Sequence, residues 1–121
     1  SKTIEFKTIK NEDQLNSEIT KTANSDKLLI VKFYADWCIS CNKLERVVFS
    51  NKAVNEVLKD TLTSTLDVTD NNRFNQSMLA RFSLVGPPAL LFFKNGLEQR
   101  SYRIIGEISA EELVEHLNNL R

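Results

Sequence analysis

The first third of the chain predicts a strand, a helix and a second strand. Residues 4–8 alternate apolar with charged or polar side chains, which indicates a short edge strand. Asn11, followed three residues later by Gln14, resembles a capping box, and the apolar spacing beyond it predicts a helix over about 12–24. Residues 28–34, LLIVKFY, are mostly β-branched and aromatic, which is typical of a central strand covered on both faces.

The middle of the chain continues the alternation of helix and strand. Apolar residues recur at helical spacing over 38–49, and a second short helix is predicted over about 51–59. Alternating residues over 62–68 indicate a strand, and a polar cluster ends it before another helical pattern at 74–82. The order of elements up to this point is therefore βαβαβα.

The last third predicts an antiparallel pair of strands and a closing helix. Gly86-Pro87-Pro88 interrupts the chain, and the apolar run 89–93 reads as a strand. Asn95-Gly96 is a strong hairpin signal, which joins that strand to one predicted over 99–105. Ser109, with a glutamate three residues later, forms a capping box that opens the last helix.

This order of elements predicts the fold class. Alternating β and α units followed by a hairpin and a helix predict an α/β fold, a central mixed sheet with helices on both faces. The 121 residues fit one domain, residues 1–121, and contain no repeat or linker. Sites in such sheets gather at the carboxyl ends of parallel strands, and Cys38 lies just beyond one of them.

Composition excludes several classes of function. The 16 basic and 16 acidic side chains balance, so we expect no binding to nucleic acid or to an anionic membrane surface. The longest apolar runs, 28–31 and 89–93, are far shorter than the roughly 20 residues of a membrane span. The start at Ser1 carries neither a basic nor an apolar leader segment, which leaves a mature protein, a cytosolic protein or an excised domain open.

The two cysteines, Cys38 and Cys41, carry the candidate chemistry. Cys38 falls at a predicted strand-to-helix junction, where unpaired backbone N–H groups and the helix dipole stabilise a thiolate. A thiol pKa below its ordinary value raises the nucleophilic fraction at neutral pH. Cys41 would lie one turn later and more buried, a position suited to attack on a mixed disulfide formed at Cys38.

Two other roles for the cysteines remain as alternatives. A purely structural disulfide would close so small a loop that it would restrict the unfolded chain little. Zinc needs four ligands, and the other usual soft donor is His116, which we expect on the surface of the last helix; a zinc site shared between two chains would be required. We therefore favour a redox pair.

Several motifs occur in an order that matches a known family. They are YADWCISC at 34–41, Leu44 and Glu45, Phe49, DVTDNN at 67–72, FSLVGPPALLFF at 82–93 and GEISAEELVEHL at 106–117. With them, nearly the whole chain resembles the thioredoxin superfamily, and within it the C-terminal domain of the DsbD family of bacterial transmembrane thiol:disulfide interchange proteins.

This resemblance implies a thioredoxin-like fold and a protein-disulfide reductase that needs no cofactor and no metal. It implies a soluble domain at the periplasmic face of the inner membrane, excised from a larger membrane protein and monomeric when isolated. Its partners would be other thiol:disulfide proteins or domains, in particular the membrane domain and the N-terminal domain of the same parent chain.

The resemblance also assigns roles to residues around the cysteines. Cys38 would be the attacking thiol and Cys41 the resolving one, with Trp37 as an apolar wall over the pair. Pro88 matches the superfamily's cis-proline, which should lie against Cys38. The residue before that proline offers backbone groups to an extended partner, but here it is Pro87, which has no N–H to give.

Lys32 departs from the superfamily pattern, which often has a buried Asp six residues before the first cysteine. A buried lysine loses its proton or finds an anion, and Glu45, which matches an acidic residue of the family, is the expected partner. A neutralised acid would raise the pKa of Cys38 less than two acids do. The alternative is that Lys32 extends to solvent from the end of a strand.

Two other functions stay open at this stage. A free-standing thioredoxin-like reductase would use the same chemistry with a reductase enzyme as its electron donor. A non-catalytic binding module would keep the fold and use Cys38 and Cys41 for metal or for structure.

Overall fold

The computed structural model describes residues 3–121, which form one mixed sheet with helices on both of its faces. Among these residues, no helix is long and apolar enough to cross a lipid bilayer. The strands are β1 (Lys7–Thr8), β2 (Leu29–Tyr34), β3 (Leu62–Asp67), β4 (Ala89–Lys94), β5 (Leu97–Glu98) and β6 (Ile104–Ile105). The helices are α1 (Glu12–Thr20), α2 (Ile39–Lys43), α3 (Lys52–Leu58), α4 (Arg73–Arg81) and α5 (Ala110–Leu120).

The sheet has the order β1-β3-β2-β4-β5, and β6 also pairs with β4. β1 and β2 run parallel to β3, whereas β4 runs antiparallel to β2. The predicted central strand is confirmed, because β2 lies between two partners and its first five residues are buried. The predicted edge strand is also confirmed, although it is reduced to the two residues of β1.

Two apolar clusters cover the two faces of the sheet. Alternate residues of β2 and β4 point to opposite faces, as the pleat of a strand requires. One cluster packs these strands against Leu15 of α1 and Met78 of α4, and it includes both cysteines. The other packs them against Val54 of α3 and Leu117 of α5. The apolar stripes of the helices therefore face the sheet as their spacing predicted.

The helix boundaries follow local hydrogen bonds. The side chain of Asn11 caps α1 by accepting a hydrogen bond from the backbone N–H of Gln14. The side chain of Gln14 accepts from the N–H of Lys10 and not from that of Asn11, so the reciprocal bond of a capping box is shifted by one residue. The helix ends at Thr20, earlier than predicted, and the backbone N–H and the hydroxyl of Thr22 both donate to the carbonyl of Ile19. This tighter turn ends the α-helical pattern.

The hairpin signal is confirmed, but the continuous strand predicted over 99–105 is wrong. Asn95 and Gly96 have φ angles of 56° and 77°, the left-handed pair that tight hairpin turns require. Phe93 of β4 pairs with Glu98, and Leu90 of β4 pairs with Ile104. These two β4 residues are three positions apart, whereas their partners on the returning chain are six positions apart. The extra residues form a 3₁₀ turn at Arg100–Tyr102, which separates β5 from β6.

Candidate redox site

The two cysteines form a disulfide where the chain passes from β2 into α2. Cys38 is the N-cap residue of α2, and its Sγ accepts a hydrogen bond of 3.2 Å from the backbone N–H of Cys41. The two Cα atoms lie 5.2 Å apart. The site is therefore at the carboxyl end of the parallel strand β2, as expected.

The helix that carries the cysteines is longer than α2 alone. It continues into a π-helical turn at Leu44–Val48, where the N–H of Phe49 reaches back to the carbonyl of Leu44. The N-terminal N–H groups of this segment point toward Cys38 and favour its charged form once the disulfide is reduced. Cys38 is 7% exposed and Cys41 2%, so Cys38 is the sulfur that an incoming group reaches first.

Thr69, which sequence reasoning missed, holds the loop before the cysteines in place. Its hydroxyl accepts a 2.9 Å bond from the N–H of Asp36 and donates to the carboxylate of Asp67. Its carbonyl accepts a 3.1 Å bond from the indole N–H of Trp37. Trp37 is 61% exposed, yet its orientation is fixed by this bond.

A second set of hydrogen bonds joins this loop to the residue after Cys41. The carbonyl of Asp36 accepts from the side-chain amide of Asn42 at 3.0 Å, and its carboxylate accepts from the hydroxyl of Tyr34 at 2.9 Å. This acceptor raises the pKa of Tyr34 to about 12. Tyr34 therefore stays protonated at neutral pH and acts as a donor that shapes the loop.

Exposed apolar side chains flank Cys38 on both sides along the chain. Trp37, Ile39 and Val85 are among the largest exposed hydrophobic residues of the described chain. Trp37, Val85 and Pro87 line one hollow beside the cysteines. An apolar, accessible rim of this kind is suited to contact with another protein.

The peptide bond between Pro87 and Pro88 is cis, as the resemblance to the thioredoxin superfamily implied. β4 begins directly after it at Ala89. The carbonyl of Pro88 is already paired, because it accepts a 3.1 Å bond from the N–H of Gly106. Pro87 has no N–H, so its carbonyl is the backbone group that this residue can offer to a partner.

Lys32 is buried and paired with Glu45. Its side chain is 7% exposed, and its Nζ lies 2.7 Å from Oε2 of Glu45, whose own side chain is 41% exposed. The ammonium group also lies 3.8 Å from the ring centroid of Phe6 and 4.5 Å from that of Phe49. Lys32 thus forms the expected ion pair and does not extend to solvent.

Burial lowers the pKa of Lys32, and the hydrogen bond and charge of Glu45 oppose that shift. The two rings add cation–π attraction, which also favours the charged form. The ammonium group is thus held by one carboxylate and two aromatic faces.

The sequence suggested that His116 lies on the surface of the last helix, but its side chain is partly buried and makes specific contacts. Its Nε2 lies 2.7 Å from the carbonyl oxygen of Tyr102, and its ring packs against those of Phe92 and Tyr102. Within residues 3–121, no group of three or more His, Cys, Asp or Glu residues could hold a metal ion.

Glu107 is a second residue that sequence reasoning missed. Its carboxylate accepts a 2.8 Å bond from the hydroxyl of Ser40, which lies between the two cysteines, and it forms an ion pair of 3.1 Å with Lys43. These contacts join positions more than 60 residues apart along the chain, so no local pattern could have revealed them.

Comparison with known proteins places this geometry in a family. The profile of the Thioredoxin family matches residues 6–119. The thiol:disulfide interchange protein DsbD of a Pseudomonas species is 36% identical over 117 residues, 96% of this chain, and DsbD 1 of Pseudomonas aeruginosa is 38% identical over 105 residues, 86% of it. The chain spans about a fifth of the length of these relatives, 20% and 18%.

A solved structure shows the same fold. The oxidised C-terminal domain of DsbD from Neisseria meningitidis superposes with a TM-score of 0.74 at 24% identity. The match covers 91% of this chain and 92% of that one, so the shared fold extends over both.

Proposed function

Because the chain belongs to the thioredoxin family, we propose that it is a thiol:disulfide oxidoreductase whose reacting groups are Cys38 and Cys41. One observation carries the proposal: the disulfide between these residues lies at a helix N-terminus, inside a rim of exposed apolar side chains. The helix terminus stabilises a thiolate, and the rim gives a partner protein a surface to contact.

The reaction proceeds in two exchange steps. In the reduced domain, the Cys38 thiolate attacks one sulfur of a partner disulfide, a mixed disulfide forms, and the other partner sulfur leaves as a thiolate that takes up a proton. Cys41 then loses its proton and attacks Sγ of Cys38, which releases the second partner sulfur. The domain ends with the Cys38–Cys41 disulfide, two electrons have moved to the partner, and the two partner sulfurs are protonated by the proton that Cys41 gave up and by one from solvent. The electrons reside in the cysteines, so the exchange needs no cofactor and no metal.

The finer proposal is an electron relay. As one domain, residues 1–121 of a larger membrane protein, the chain would receive electrons from a membrane domain and pass them to an N-terminal partner domain. It would do so at the periplasmic face of the bacterial inner membrane and would be a monomer when isolated. The support is the similarity to proteins named thiol:disulfide interchange protein DsbD, of which this chain spans about a fifth (20%).

Trp37, Pro87 and Pro88 are proposed as the partner-binding residues. Their support is their position, since Trp37 and Pro87 line the hollow beside the disulfide and Pro88 precedes β4. A partner strand can pair with the carbonyl of Pro87 but receives no N–H from it. Side-chain contacts with the apolar rim must therefore contribute more of the affinity than in relatives with two backbone bonds.

Lys32 and Glu45 are proposed to tune the thiol. A carboxylate near Cys38 raises the pKa of its thiol by like-charge repulsion, and a paired lysine reduces that effect. The observed ion pair supports this role, because Glu45 is neutralised by a lysine at the position where relatives often carry a second acid.

Insulin reduction tests the chemistry directly. With dithiothreitol as electron source, the wild-type domain should accelerate cleavage of the insulin disulfides, and Cys38→Ser should abolish the acceleration. Cys41→Ser should instead retain a covalent adduct with an insulin chain, because the resolving thiol is missing. A Cys38→Ser variant with wild-type rates would overturn the proposal.

Two measurements distinguish the electron relay from the two alternative functions, a free-standing reductase and a non-catalytic binding module. A full-length reading frame that encodes membrane spans before Ser1 favours the relay, and a short frame without them favours a free-standing reductase. A non-catalytic module would be identified by two results: zinc bound to the reduced domain, and a rate of insulin reduction with the wild-type domain that is no higher than the uncatalysed rate.

A further inference from the structure

The segment between β6 and α5 connects the two parts of the redox site. Glu107 on this segment accepts a hydrogen bond from Ser40 and pairs with Lys43, so it holds the first turns of the helix that carries the cysteines. The preceding Gly106 donates its N–H to the carbonyl of Pro88 at 3.1 Å, so the same segment also holds the start of β4. Gly106 has a φ of 92°, a left-handed conformation that glycine adopts at no steric cost.

The carboxylate of Glu107 is therefore held beside the helix turn where a reduced Cys38 would carry its negative charge. Ser40 is two residues from Cys38, and its hydroxyl is turned toward Glu107 rather than toward the sulfur. Two negative charges at one helix terminus repel each other, so the charge of Glu107 disfavours the Cys38 thiolate. Its partner Lys43 reduces that effect without removing it, since both side chains are more than 40% exposed, at 44% and 57%.

Other charged groups near the site have their own hydrogen-bond partners. Glu112 lines the same groove as Glu107 and Lys43, but its carboxylate accepts from the N–H of Ser109 in a capping box. Asp36, on the loop before Cys38, accepts from the hydroxyl of Tyr34. Glu107 is the carboxylate that contacts a residue of the Cys38–Cys41 spacer.

We propose that Glu107 is a positioning residue for the dithiol, which acts through Ser40 and Lys43 to make the reduced domain a stronger electron donor. The proposal rests on the proposed function of Cys38 and Cys41 and extends it to a residue on a distant segment. Reduction places a thiolate at the N-cap of the helix whose first turns Glu107 contacts, the repulsion between the two charges destabilises the reduced state, and electrons leave more readily.

Redox equilibration with glutathione tests this role at several pH values. Glu107→Gln keeps an oxygen that can accept from Ser40 but removes the charge. We expect its equilibrium to shift toward the reduced dithiol by about two- to five-fold, the range typical of exposed charge pairs. Lys43→Gln should shift it in the opposite direction, because Glu107 is then no longer neutralised. Glu115→Gln, on an exposed part of α5, is the charge-matched control and should match the wild type.

The pH profile separates electrostatics from a structural effect. The difference between Glu107→Gln and the wild type should grow as pH rises through the thiol titration and vanish at low pH, where Cys38 is protonated in both. Ser40→Ala keeps the charge but loses the tether, so it should give a smaller shift in the same direction as Glu107→Gln.

Three results would overturn the inference: a Glu107→Gln equilibrium equal to that of the control, shifts of the same sign for Glu107→Gln and Lys43→Gln, or a difference that does not depend on pH. A wild-type domain that shows no dithiol–disulfide equilibrium with glutathione would overturn the proposed function itself, so the two failures are distinguishable.

Discussion

The ammonium group of Lys32 lies 2.7 Å from the carboxylate of Glu45 and is covered by the ring of Phe6 at 3.8 Å. Lys32 comes from the central strand β2, and Glu45 from the helical segment that carries the cysteines. Strand and redox helix are thus joined by a charge pair in the layer between them. Such a pair can influence both the thiol chemistry and the stability of the domain.

Lys32→Asp should raise the pKa of Cys38, by about one unit. The substitution replaces a positive charge with a negative one and leaves Glu45 unneutralised, so two carboxylates oppose the thiolate. Ultraviolet absorbance of the thiolate, followed during a pH titration of the reduced protein, measures the change. Lys32→Met removes the positive charge alone and should give a smaller rise; titration curves that overlay would contradict the tuning role.

Glu45→Gln should destabilise the fold by about 1–3 kcal/mol, because it leaves a buried ammonium group without its anion. Lys32→Met should cost less, since an apolar side chain of similar length can pack between Phe6 and Phe49. Urea unfolding of both variants measures the difference in the free energy of unfolding. Both variants lose the ion pair, so the order would be reversed only if the cation–π contacts of Lys32 with Phe6 and Phe49 contributed more than the burial of its ammonium group costs.

Pro87→Ala should strengthen partner docking by about two- to ten-fold, the value of one added backbone hydrogen bond. Alanine supplies the N–H that Pro87 lacks, so an extended partner gains a second backbone bond beside the disulfide. The KM for insulin should fall while the pKa of Cys38 stays unchanged. Val85→Ala, which trims an exposed side chain of the same hollow, should weaken docking instead. An unchanged KM in Pro87→Ala would argue against strand addition at this residue.

Glu18→Gln should make the domain less sensitive to acid. Burial alone would raise the pKa of Glu18, but its hydrogen bonds and ion pairs with Lys21 and Lys7 outweigh burial and lower it. A carboxyl whose pKa is lowered by folding stabilises the fold above its unfolded pKa of about 4.3. That stability is lost as pH falls through the lower folded value.

Thermal unfolding between neutral and strongly acidic pH measures this effect. The wild type should lose more stability over the acidic range than Glu18→Gln, whose curve should be flatter. Glu111→Gln removes an exposed glutamate from α5 and serves as the control, with an acid response like that of the wild type. Parallel curves for the wild type and Glu18→Gln would contradict the prediction.

Much of the fold could be predicted because its signals are local. The apolar run of β2, the capping residues Asn11 and Ser109 and the hairpin signal at Asn95-Gly96 act within a few residues of the structure that they determine. The break after Glu98 could not be predicted, because it depends on how many residues of β4 oppose the returning chain.

In the candidate site, too, the features with local sequence signals could be predicted and the long-range contacts could not. Cys38 and Cys41 lie only three positions apart in the sequence, and the pair of Lys32 with Glu45 could be inferred because a buried charge needs a partner. The contacts of Thr69 with the loop before Cys38 and of Glu107 with Ser40 cross large separations along the chain. Ordinary polar residues at such positions carry no sequence signal until the fold brings them together.

Trp37 is the sole tryptophan of the chain and directly precedes Cys38, and its indole is held in place by a hydrogen bond to the carbonyl of Thr69. Its fluorescence therefore comes from the reacting centre with no background from other indoles. Because a neighbouring disulfide quenches indole emission, the protein carries an intrinsic optical reporter of its own oxidation state. Each turnover could thus be followed in real time without any added label.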